Sequence, residues 1–256
     1  MKNTLYIGDC IKIMQTLKPE SVDLILTSPP YNMTSRKGGW GDKTTRYDIY
    51  TDWMTESEYL DWMIEVFNNF NKVLSKKGVV LFNFSYSIEN PGMPYKLVNE
   101  ILTKTNFNIV DTIIWKKDNA MPHPANKYRL NRICEFIFVF VKKGQENDFN
   151  INKKVKSISE KTGQKYYEIV YNYFEAKNND GVNDLNKATF SMEMVEKLLN
   201  IYALPDSTVF DPFMGTGTTG IVCEQMNLNF IGSEISEKQV RYAQKRFIYC
   251  DVISNS

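Results

Sequence analysis

The sequence predicts an α/β fold in which seven strands form a sheet connected by crossover helices. Seven short apolar runs alternate with longer segments whose apolar residues recur every three or four positions, and this alternation is typical of such folds. The length of 256 residues suits one large domain, or one domain with an inserted segment. Hydrophobic residues make up 43% of the chain and charged residues 24%, which favours a globular protein over a disordered or membrane-spanning one.

The predicted strands and helices follow one another along most of the chain. Segment 56–75 is the clearest helix, because its apolar residues share one face and Gly78 follows it as a stop signal. The other helices are predicted at 10–17, 94–105, 190–203, 217–226 and 236–248. The strands are predicted at 5–8, 22–27, 79–84, 109–115, 133–141, 208–211 and 229–233.

Two segments interrupt this alternation. Residues 32–54 combine three glycines with basic and aromatic residues and predict a long loop, and loops of that length within a compact domain are usually functional. Residues 142–187 are polar, with seven lysines against three acidic residues between 142 and 165. We predict that 142–187 form a small insert with little core of its own, and that 1–141 and 188–256 form the main domain.

Composition excludes several classes of protein. Lysine and arginine number 31 and aspartate and glutamate 30, so the net charge of +1 excludes a globally basic nucleic-acid-binding protein but leaves local basic faces open. The four cysteines include no Cys-x-x-Cys pair and His123 is the only histidine, so no metal is expected. The N-terminus does not resemble a signal peptide and no apolar run is long enough to span a bilayer, which predicts a soluble cytoplasmic protein without membrane association.

A glycine-rich turn follows the strand that ends at Asp211. From Asp211 the sequence reads Asp-Pro-Phe-Met-Gly-Thr-Gly-Thr-Thr-Gly and predicts a turn and then a helix that begins near Thr218. The glycine spacing matches G-x-G-x-x-G, and Glu234 lies 19 residues after Gly215, near the end of the next strand. A carboxylate there suits the two hydroxyls of an adenosine ribose, so the motif predicts an adenosine-containing cofactor.

A nicotinamide dinucleotide fits the order of the chain poorly. The 36 residues after Gly220 have room for one strand and one helix, whereas a dinucleotide fold built onward from its glycine motif needs several further strand and helix units. The rest of the sheet must come from upstream, which favours a single-nucleoside cofactor.

The second motif, Ser28-Pro29-Pro30-Tyr31, follows the buried strand 22–27. Consecutive prolines have no N–H groups and restrict φ, so the segment is stiff and offers hydrogen-bond acceptors. Acceptors suit an exocyclic amino group, whose nitrogen is a poor nucleophile because its lone pair is delocalised into the base. Hydrogen bonds from that group to Ser28 Oγ and to the Pro29 carbonyl would favour a pyramidal, more nucleophilic nitrogen, and Tyr31 would stack on the base.

These two motifs, from Thr27 to Tyr31 and from Asp211 to Gly217, resemble those of the DNA amino-methyltransferases of the β arrangement, in which the catalytic half precedes the cofactor half. The resemblance implies a Rossmann-like methyltransferase sheet of seven mostly parallel strands with a circularly permuted motif order. It also implies direct methyl transfer from S-adenosylmethionine, with no covalent enzyme intermediate.

The resemblance covers most of the chain and assigns its site residues. It places Asp9 and Cys10 at the cofactor adenine, Phe190 against the cofactor and Glu234 at the ribose, and segments 115–117 and 131–135 resemble the middle strands of the family. The residues expected to bind the cofactor are Asp9, Cys10, Phe190, Asp211, Phe213, Gly215, Gly217, Thr218, Thr219 and Glu234. The residues expected to be catalytic are Ser28, Pro29, Pro30 and Tyr31.

The residue at position 28 bears on the target base. Ser28 differs from the Asp or Asn that is common in N6-adenine members and resembles the N4-cytosine members, so we favour N4 of cytosine and keep N6 of adenine as the alternative. Three other functions stay open: methylation of RNA or of a free nucleotide, NAD-dependent oxidoreduction, and DNA binding by an inactive module.

The expected partner is double-stranded DNA, from which the target base must be flipped into the pocket. Phosphates need basic partners, and two local basic patches contain interleaved aromatic residues. The residues predicted to bind DNA are Arg36, Lys37, Lys43 and Arg46 in the first patch and Lys116, Lys127, Arg129 and Arg132 in the second. By the resemblance, 142–187 contain the target-recognition segment, whose small size leaves a homodimer open. A cognate restriction enzyme would be encoded separately.

Overall fold

The structure, a computed structural model, describes residues 2–32, 54–86, 90–118, 127–128, 130–181 and 189–254. Its strands are β1 (Asn3–Ile7), β2 (Val22–Thr27), β3 (Leu74–Phe84), β4 (Phe107–Lys117), β5 (Cys134–Lys142), β6 (Val155–Ile158), β7 (Lys165–Tyr167), β8 (Tyr173–Ala176), β9 (Thr208–Asp211), β10 (Asn229–Glu234) and β11 (Asp251–Ser254). Its helices are α1 (Cys10–Thr16), α2 (Glu56–Val73), α3 (Met93–Lys104), α4 (Met192–Tyr202), α5 (Thr218–Gln225) and α6 (Glu237–Gln244). All six predicted helices and all seven predicted strands are confirmed.

One sheet passes through the molecule in the order β11-β1-β10-β9-β2-β3-β5-β4-β8. Neighbouring strands are parallel except at β5, which is antiparallel to both β3 and β4. The carboxyl ends of the eight parallel strands therefore lie at one edge of the sheet, together with the start of β5.

The predicted count of seven strands is wrong, because this sheet has nine. The two additional strands, β8 and β11, are four residues long and lie at the two edges of the sheet. Most of their residues are partly or fully exposed, so neither strand has the continuous apolar run by which a buried strand is recognised.

Helices cover both faces of the sheet. One apolar core joins the sheet to α4, α5 and α6, and the other joins it to α1, α2 and α3. The α2 helix begins with a capping box in which Thr55 and Glu58 each accept a hydrogen bond from the backbone N–H of the other. Two covered faces explain why the central strands are almost entirely apolar.

The predicted insert 142–187 contains two kinds of structure. Strands β6 and β7 form an antiparallel pair separate from the main sheet, whereas β8 pairs in parallel with β4. No helix within the described ranges has both the length and the apolar character that a membrane span requires.

Candidate active site

Both sequence motifs lie at the carboxyl edge of the sheet. Strands β1, β10, β9 and β2 are consecutive and parallel. Asp9 follows β1, Glu234 ends β10, Asp211 ends β9 and Ser28 follows β2. Catalytic and cofactor motifs that are far apart in the sequence are therefore neighbours in the fold, at the edge where parallel sheets usually bind ligands.

Asp211 is the centre of a buried group of hydrogen bonds between these two motifs. Its Oδ1 accepts from Thr27 Oγ1 at 2.7 Å and from the Phe213 amide at 3.1 Å, and its Oδ2 accepts from Thr219 Oγ1 at 2.8 Å. The side chain is almost completely buried. Burial raises the pKa of Asp211 to about 6, although the three hydrogen-bond donors lower it. Asp211 and Thr219 thus hold the turn in place through side chains that face the protein interior.

The glycine-rich turn requires its glycines for two different reasons. Gly217 precedes α5 with φ +83°, a left-handed conformation that favours glycine. Gly220 lies inside α5, where a Cβ atom would come within 2.5 Å of the Phe230 ring. The first glycine shapes the turn, and the second lets the helix pack closely on β10.

Glu234 binds the backbone on both sides of the site. Its Oε2 accepts from the Gly215 amide at 3.1 Å and its Oε1 accepts from the Ser236 amide at 2.9 Å. The Gly8 amide donates to the Glu234 carbonyl at 3.0 Å. Glu234 therefore joins the glycine-rich turn to the end of β1, where Asp9 caps α1 by accepting from the Ile11 and Lys12 amides.

Asp180 is a functional candidate that sequence reasoning missed. Its side chain is fully buried, and its Oδ2 accepts from Arg246 at 2.9 Å and from the hydroxyl of Thr218. Its Oδ1 accepts from Thr189 Oγ1 at 2.8 Å, and Arg246 also donates to the Thr216 carbonyl at 2.8 Å. These contacts fasten the glycine-rich turn to the end of the predicted insert.

The Ser-Pro-Pro-Tyr segment is held by the start of α2 and by β3. Pro29 is buried, and the Pro30 carbonyl accepts a hydrogen bond of 2.6 Å from the hydroxyl of Tyr59. The Tyr31 ring lies 4.8 Å from the Phe84 ring, centroid to centroid. The segment is therefore fixed at its edges, as its two prolines predict.

A polar network surrounds Ser28 and Tyr31. Ser28 Oγ donates to Tyr31 Oη at 3.0 Å, and Tyr31 Oη donates to Glu135 Oε2 at 3.3 Å. Asn83 Nδ2 donates to Tyr31 Oη at 2.7 Å and to Glu135 Oε2 at 2.8 Å, and Lys117 forms an ion pair with Glu135 Oε1. Sequence reasoning missed Asn83, Glu135 and Lys117, although a polar residue within an apolar strand was a usable signal.

A sequence model of a DNA methylase family, the N6/N4 methyltransferases, matches residues 22–245. The chain belongs to this family. The match includes the Ser-Pro-Pro-Tyr segment, the polar network and the glycine-rich turn. The predicted amino-methyltransferase function and its cofactor, S-adenosylmethionine, are thereby confirmed, and the family includes both N4-cytosine and N6-adenine enzymes.

Individual relatives and solved structures agree with this family. Type II methyltransferase M.HinfI of Haemophilus influenzae is 27% identical over 260 residues, which span 95% of this chain and 68% of the relative. The cytosine-N4-specific PvuII DNA methyltransferase has the same fold, with a TM-score of 0.73 at 20% identity over 97% of this chain and 88% of that one. A complex of M1.HpyAVI with S-adenosylmethionine has a TM-score of 0.63 at 26% identity over 95% of this chain and 99% of that one.

The residues at the β1, β10 and β9 ends fit this DNA methyltransferase cofactor. Glu234 ends β10 opposite Ile7 of the paired strand β1, and Asp9 follows β1 two residues later, so two carboxylates at this edge can accept from the amino group and the hydroxyls of an adenosine. Thr216 Oγ1, in the turn, is buried without a hydrogen-bond partner among the described residues. Cys10 is buried in the core, and burial raises the pKa of its thiol, so it offers an apolar surface rather than a thiolate.

Two predicted cofactor residues present aromatic rings at this edge. The Phe213 ring lies 5.6 Å from the Trp62 ring, and the Phe190 ring lies 6.5 Å from the Trp115 ring. Both phenylalanines are partly exposed, so each offers an apolar surface beside the glycine-rich turn or the start of α4.

The predicted DNA-binding residues have different positions in this DNA methyltransferase. The Lys116 ammonium pairs with Glu175 at 2.8 Å, and Arg132 donates to the Tyr86 carbonyl and lies over the Tyr86 ring. Lys127 lies over the Tyr128 ring at 5.3 Å. Arg36, Lys37, Lys43, Arg46 and Arg129 lie outside the described residues.

Proposed function

We propose that this enzyme methylates N4 of cytosine in double-stranded DNA, at a base flipped into the pocket beside Ser28. The observation that supports this choice most directly is the hydroxyl at position 28, on a stiff proline corner next to the glycine-rich turn. Asp or Asn is common at this position in the N6-adenine members, whereas a serine resembles the N4-cytosine members.

The chain's own residues would orient the amino group and raise its reactivity. Ser28 Oγ and the Pro29 carbonyl accept its two hydrogens, which favours a pyramidal nitrogen with a more available lone pair. The Pro30 carbonyl is already engaged by Tyr59, which keeps the corner rigid. Tyr31 stacks on the base, and S-adenosylmethionine, when bound, supplies the methyl group.

The cofactor would lie along the β1, β10 and β9 ends. Glu234 binds the ribose, Asp9 binds the adenine amino group, and Cys10, Phe190 and Phe213 supply apolar contacts. The turn from Gly215 to Gly217 and the backbone of Thr218 and Thr219 approach the methionine part, while Asp211 holds that turn from inside. The motif order along the chain, catalytic before cofactor, supports the permuted arrangement.

The predicted insert 142–187 would read the DNA sequence. Support comes from the β6–β7 hairpin, where the side chains of Tyr166 and Tyr167 are half exposed among several lysines. Exposed aromatic and basic side chains suit contacts with bases and phosphates. The predicted basic residues at 36, 37, 43, 46, 116, 127, 129 and 132 would bind phosphates, with Lys116 first released from Glu175. A homodimer, a separately encoded restriction enzyme and a cytoplasmic location complete the proposal.

Mass spectrometry of nucleosides tests the base directly. Plasmid DNA incubated with the enzyme and S-adenosylmethionine carrying a labelled methyl group is digested to nucleosides, and RNA is treated in parallel. We expect label in N4-methylcytosine alone. Label in N6-methyladenine overturns the choice of base, label in RNA overturns the choice of DNA, and no label in either favours an inactive binding module.

A further inference from the structure

Glu135 ends a chain of hydrogen bonds that begins at Ser28. The chain passes from Ser28 Oγ to Tyr31 Oη at 3.0 Å and from Tyr31 Oη to Glu135 Oε2 at 3.3 Å. The residues come from three neighbouring elements: Ser28 follows β2, Asn83 lies near the end of β3 and Glu135 near the start of β5. Glu135 is thus joined to the proposed acceptor of the amino group through one side chain.

The direction of these hydrogen bonds depends on the carboxylate. An ionised carboxylate only accepts, so the single proton of Tyr31 Oη is committed to Glu135. Tyr31 Oη then has its lone pairs available to accept from Ser28 and from Asn83 Nδ2. With its own proton given to Tyr31, Ser28 Oγ can only accept. It accepts a long hydrogen bond of 3.4 Å from Asn83 Nδ2, which leaves a lone pair for a group that enters the pocket.

Two neighbours contact the Glu135 carboxylate. Lys117 pairs with Oε1, and the two side chains keep only 18% and 15% of their exposure, so the pair is largely withdrawn from water. Asn83 Nδ2 donates to Oε2 at 2.8 Å. The Asn83 amide is expected to keep this orientation. Its Oδ1 is buried with no partner among the described residues. A flipped amide would place the two N–H groups at that position, where they would have no acceptor.

We propose that Glu135 is a positioning residue for methyl transfer, which sets the direction of the Tyr31 and Ser28 hydroxyls and thereby makes Ser28 Oγ an acceptor for the target amino group. This inference rests on the proposed role of Ser28. It also explains how a serine can take the place of the Asp or Asn of the N6-adenine members: the acceptor that orders the site is the Glu135 carboxylate, one side chain further away.

Glu135→Gln tests this direction with little change in shape. Lys117 holds an oxygen of the new amide, so the amide nitrogen takes the place of Oε2, where it donates to Tyr31 and can no longer accept from Asn83 Nδ2. The Tyr31 hydroxyl then donates to Ser28 Oγ, and the Ser28 hydroxyl proton points at the target amino group. Two donors then face each other, and the amino group loses its acceptor. We expect kcat to fall by about 10- to 100-fold, the same order as the loss of an outer-shell residue that orients a metal ligand. KM values for DNA and for S-adenosylmethionine should change less than about threefold, because the amino-group contact is only one of the many contacts that bind these two substrates.

A double-mutant cycle with Tyr31→Phe distinguishes positioning from a general loss of structure. Because Glu135 acts through the Tyr31 hydroxyl, adding Glu135→Gln to Tyr31→Phe should reduce kcat by less than about twofold. Full multiplication of the two single effects contradicts the proposal. Glu193→Gln is the matched control, since Glu193 also pairs with a lysine, Lys197, but on the surface of α4. It should keep wild-type kcat.

Thermal unfolding and cofactor affinity of each variant show whether the fold is intact, and failure of this inference can be told from failure of the proposed function. If the wild-type enzyme and Glu193→Gln label no DNA base, the proposed function fails. A second outcome is that the wild-type enzyme and Glu193→Gln label DNA and Ser28→Ala does not. If Glu135→Gln then keeps the wild-type kcat, the proposed function stands and the role of Glu135 is overturned. A Glu135→Gln enzyme with raised KM and unchanged kcat also overturns it, because that pattern indicates substrate binding.

Discussion

Thr27 Oγ1 donates a hydrogen bond of 2.7 Å to Asp211 Oδ1, across 184 positions of the sequence. Thr27 is the last residue before the Ser-Pro-Pro-Tyr corner, and Asp211 is the first residue of the glycine-rich motif. The contact is buried, and it follows from the parallel pairing of β2 with β9. The Ser-Pro-Pro-Tyr corner and the glycine-rich turn are thus held in a fixed relationship by two buried side chains.

Replacing Thr27 with Val should destabilise the fold by about 1–2 kcal/mol, because a buried carboxylate loses one of its hydrogen-bond donors. Val keeps the shape of the side chain, so the effect measures the hydrogen bond rather than packing. Urea unfolding measures the free energy of unfolding. Thr103→Val is the control, since Thr103 donates to the exposed backbone of its own helix. Equal losses in both variants would show that the Thr27–Asp211 contact has no special weight.

Replacing Asp211 with Asn should remove a pH dependence of stability. Burial raises the pKa of Asp211 to about 6, so between about pH 4 and pH 6 the native protein binds a proton at this site that the unfolded chain has released. The stability that this site contributes is complete below about pH 4 and is lost as the pH rises through 6. The free energy of unfolding of Asp211→Asn minus that of wild type should therefore become more positive by about 3 kcal/mol between pH 4 and pH 7. Urea unfolding curves at several pH values measure the gain, and a difference that does not vary with pH is inconsistent with this account.

Replacing Glu234 with Ala should weaken the binding of S-adenosylmethionine by about 1–3 kcal/mol, because buried hydroxyls and the Gly215 amide lose their acceptor. Isothermal titration calorimetry measures the affinity. Glu237→Ala, three residues further on in the exposed first turn of α6, is the control and should leave the affinity unchanged. Unchanged affinity in Glu234→Ala would remove this carboxylate from the proposed ribose site.

Replacing Arg246 with Met should lower the free energy of unfolding by about 3 kcal/mol, because the fully buried Asp180 is left without its cation. The same change frees the Thr216 carbonyl, so we also expect weaker binding of S-adenosylmethionine. Arg241→Met breaks an exposed ion pair on α6 and should change stability by less than about 1 kcal/mol. If the two variants unfold alike, Asp180 does not fasten the glycine-rich turn.

The sequence predicts those features of this protein that are determined by residues close together in the sequence. Periodicity locates the buried strands and the helices, and the residue types of the Ser-Pro-Pro-Tyr corner and of the glycine-rich turn indicate their chemistry. The short edge strands β8 and β11 are not predicted, because their largely exposed residues show no such periodicity. The network around Tyr31 cannot be predicted from the sequence for another reason. Asn83 and Glu135 are 52 and 104 positions from Tyr31 in the sequence, and only the order of strands in the sheet brings them into contact with it.

The most direct test compares cofactor binding with methyl transfer in Ser28→Ala and Tyr31→Ala. We propose that the proline corner acts on the base, whereas the glycine-rich turn, far away in the sequence but adjacent in the fold, binds the cofactor. Both variants should therefore bind S-adenosylmethionine with nearly wild-type affinity and lose transfer of labelled methyl groups to DNA by at least about 100-fold. Loss of cofactor affinity in both variants, or transfer at the wild-type rate, would contradict the assignment of the two motifs.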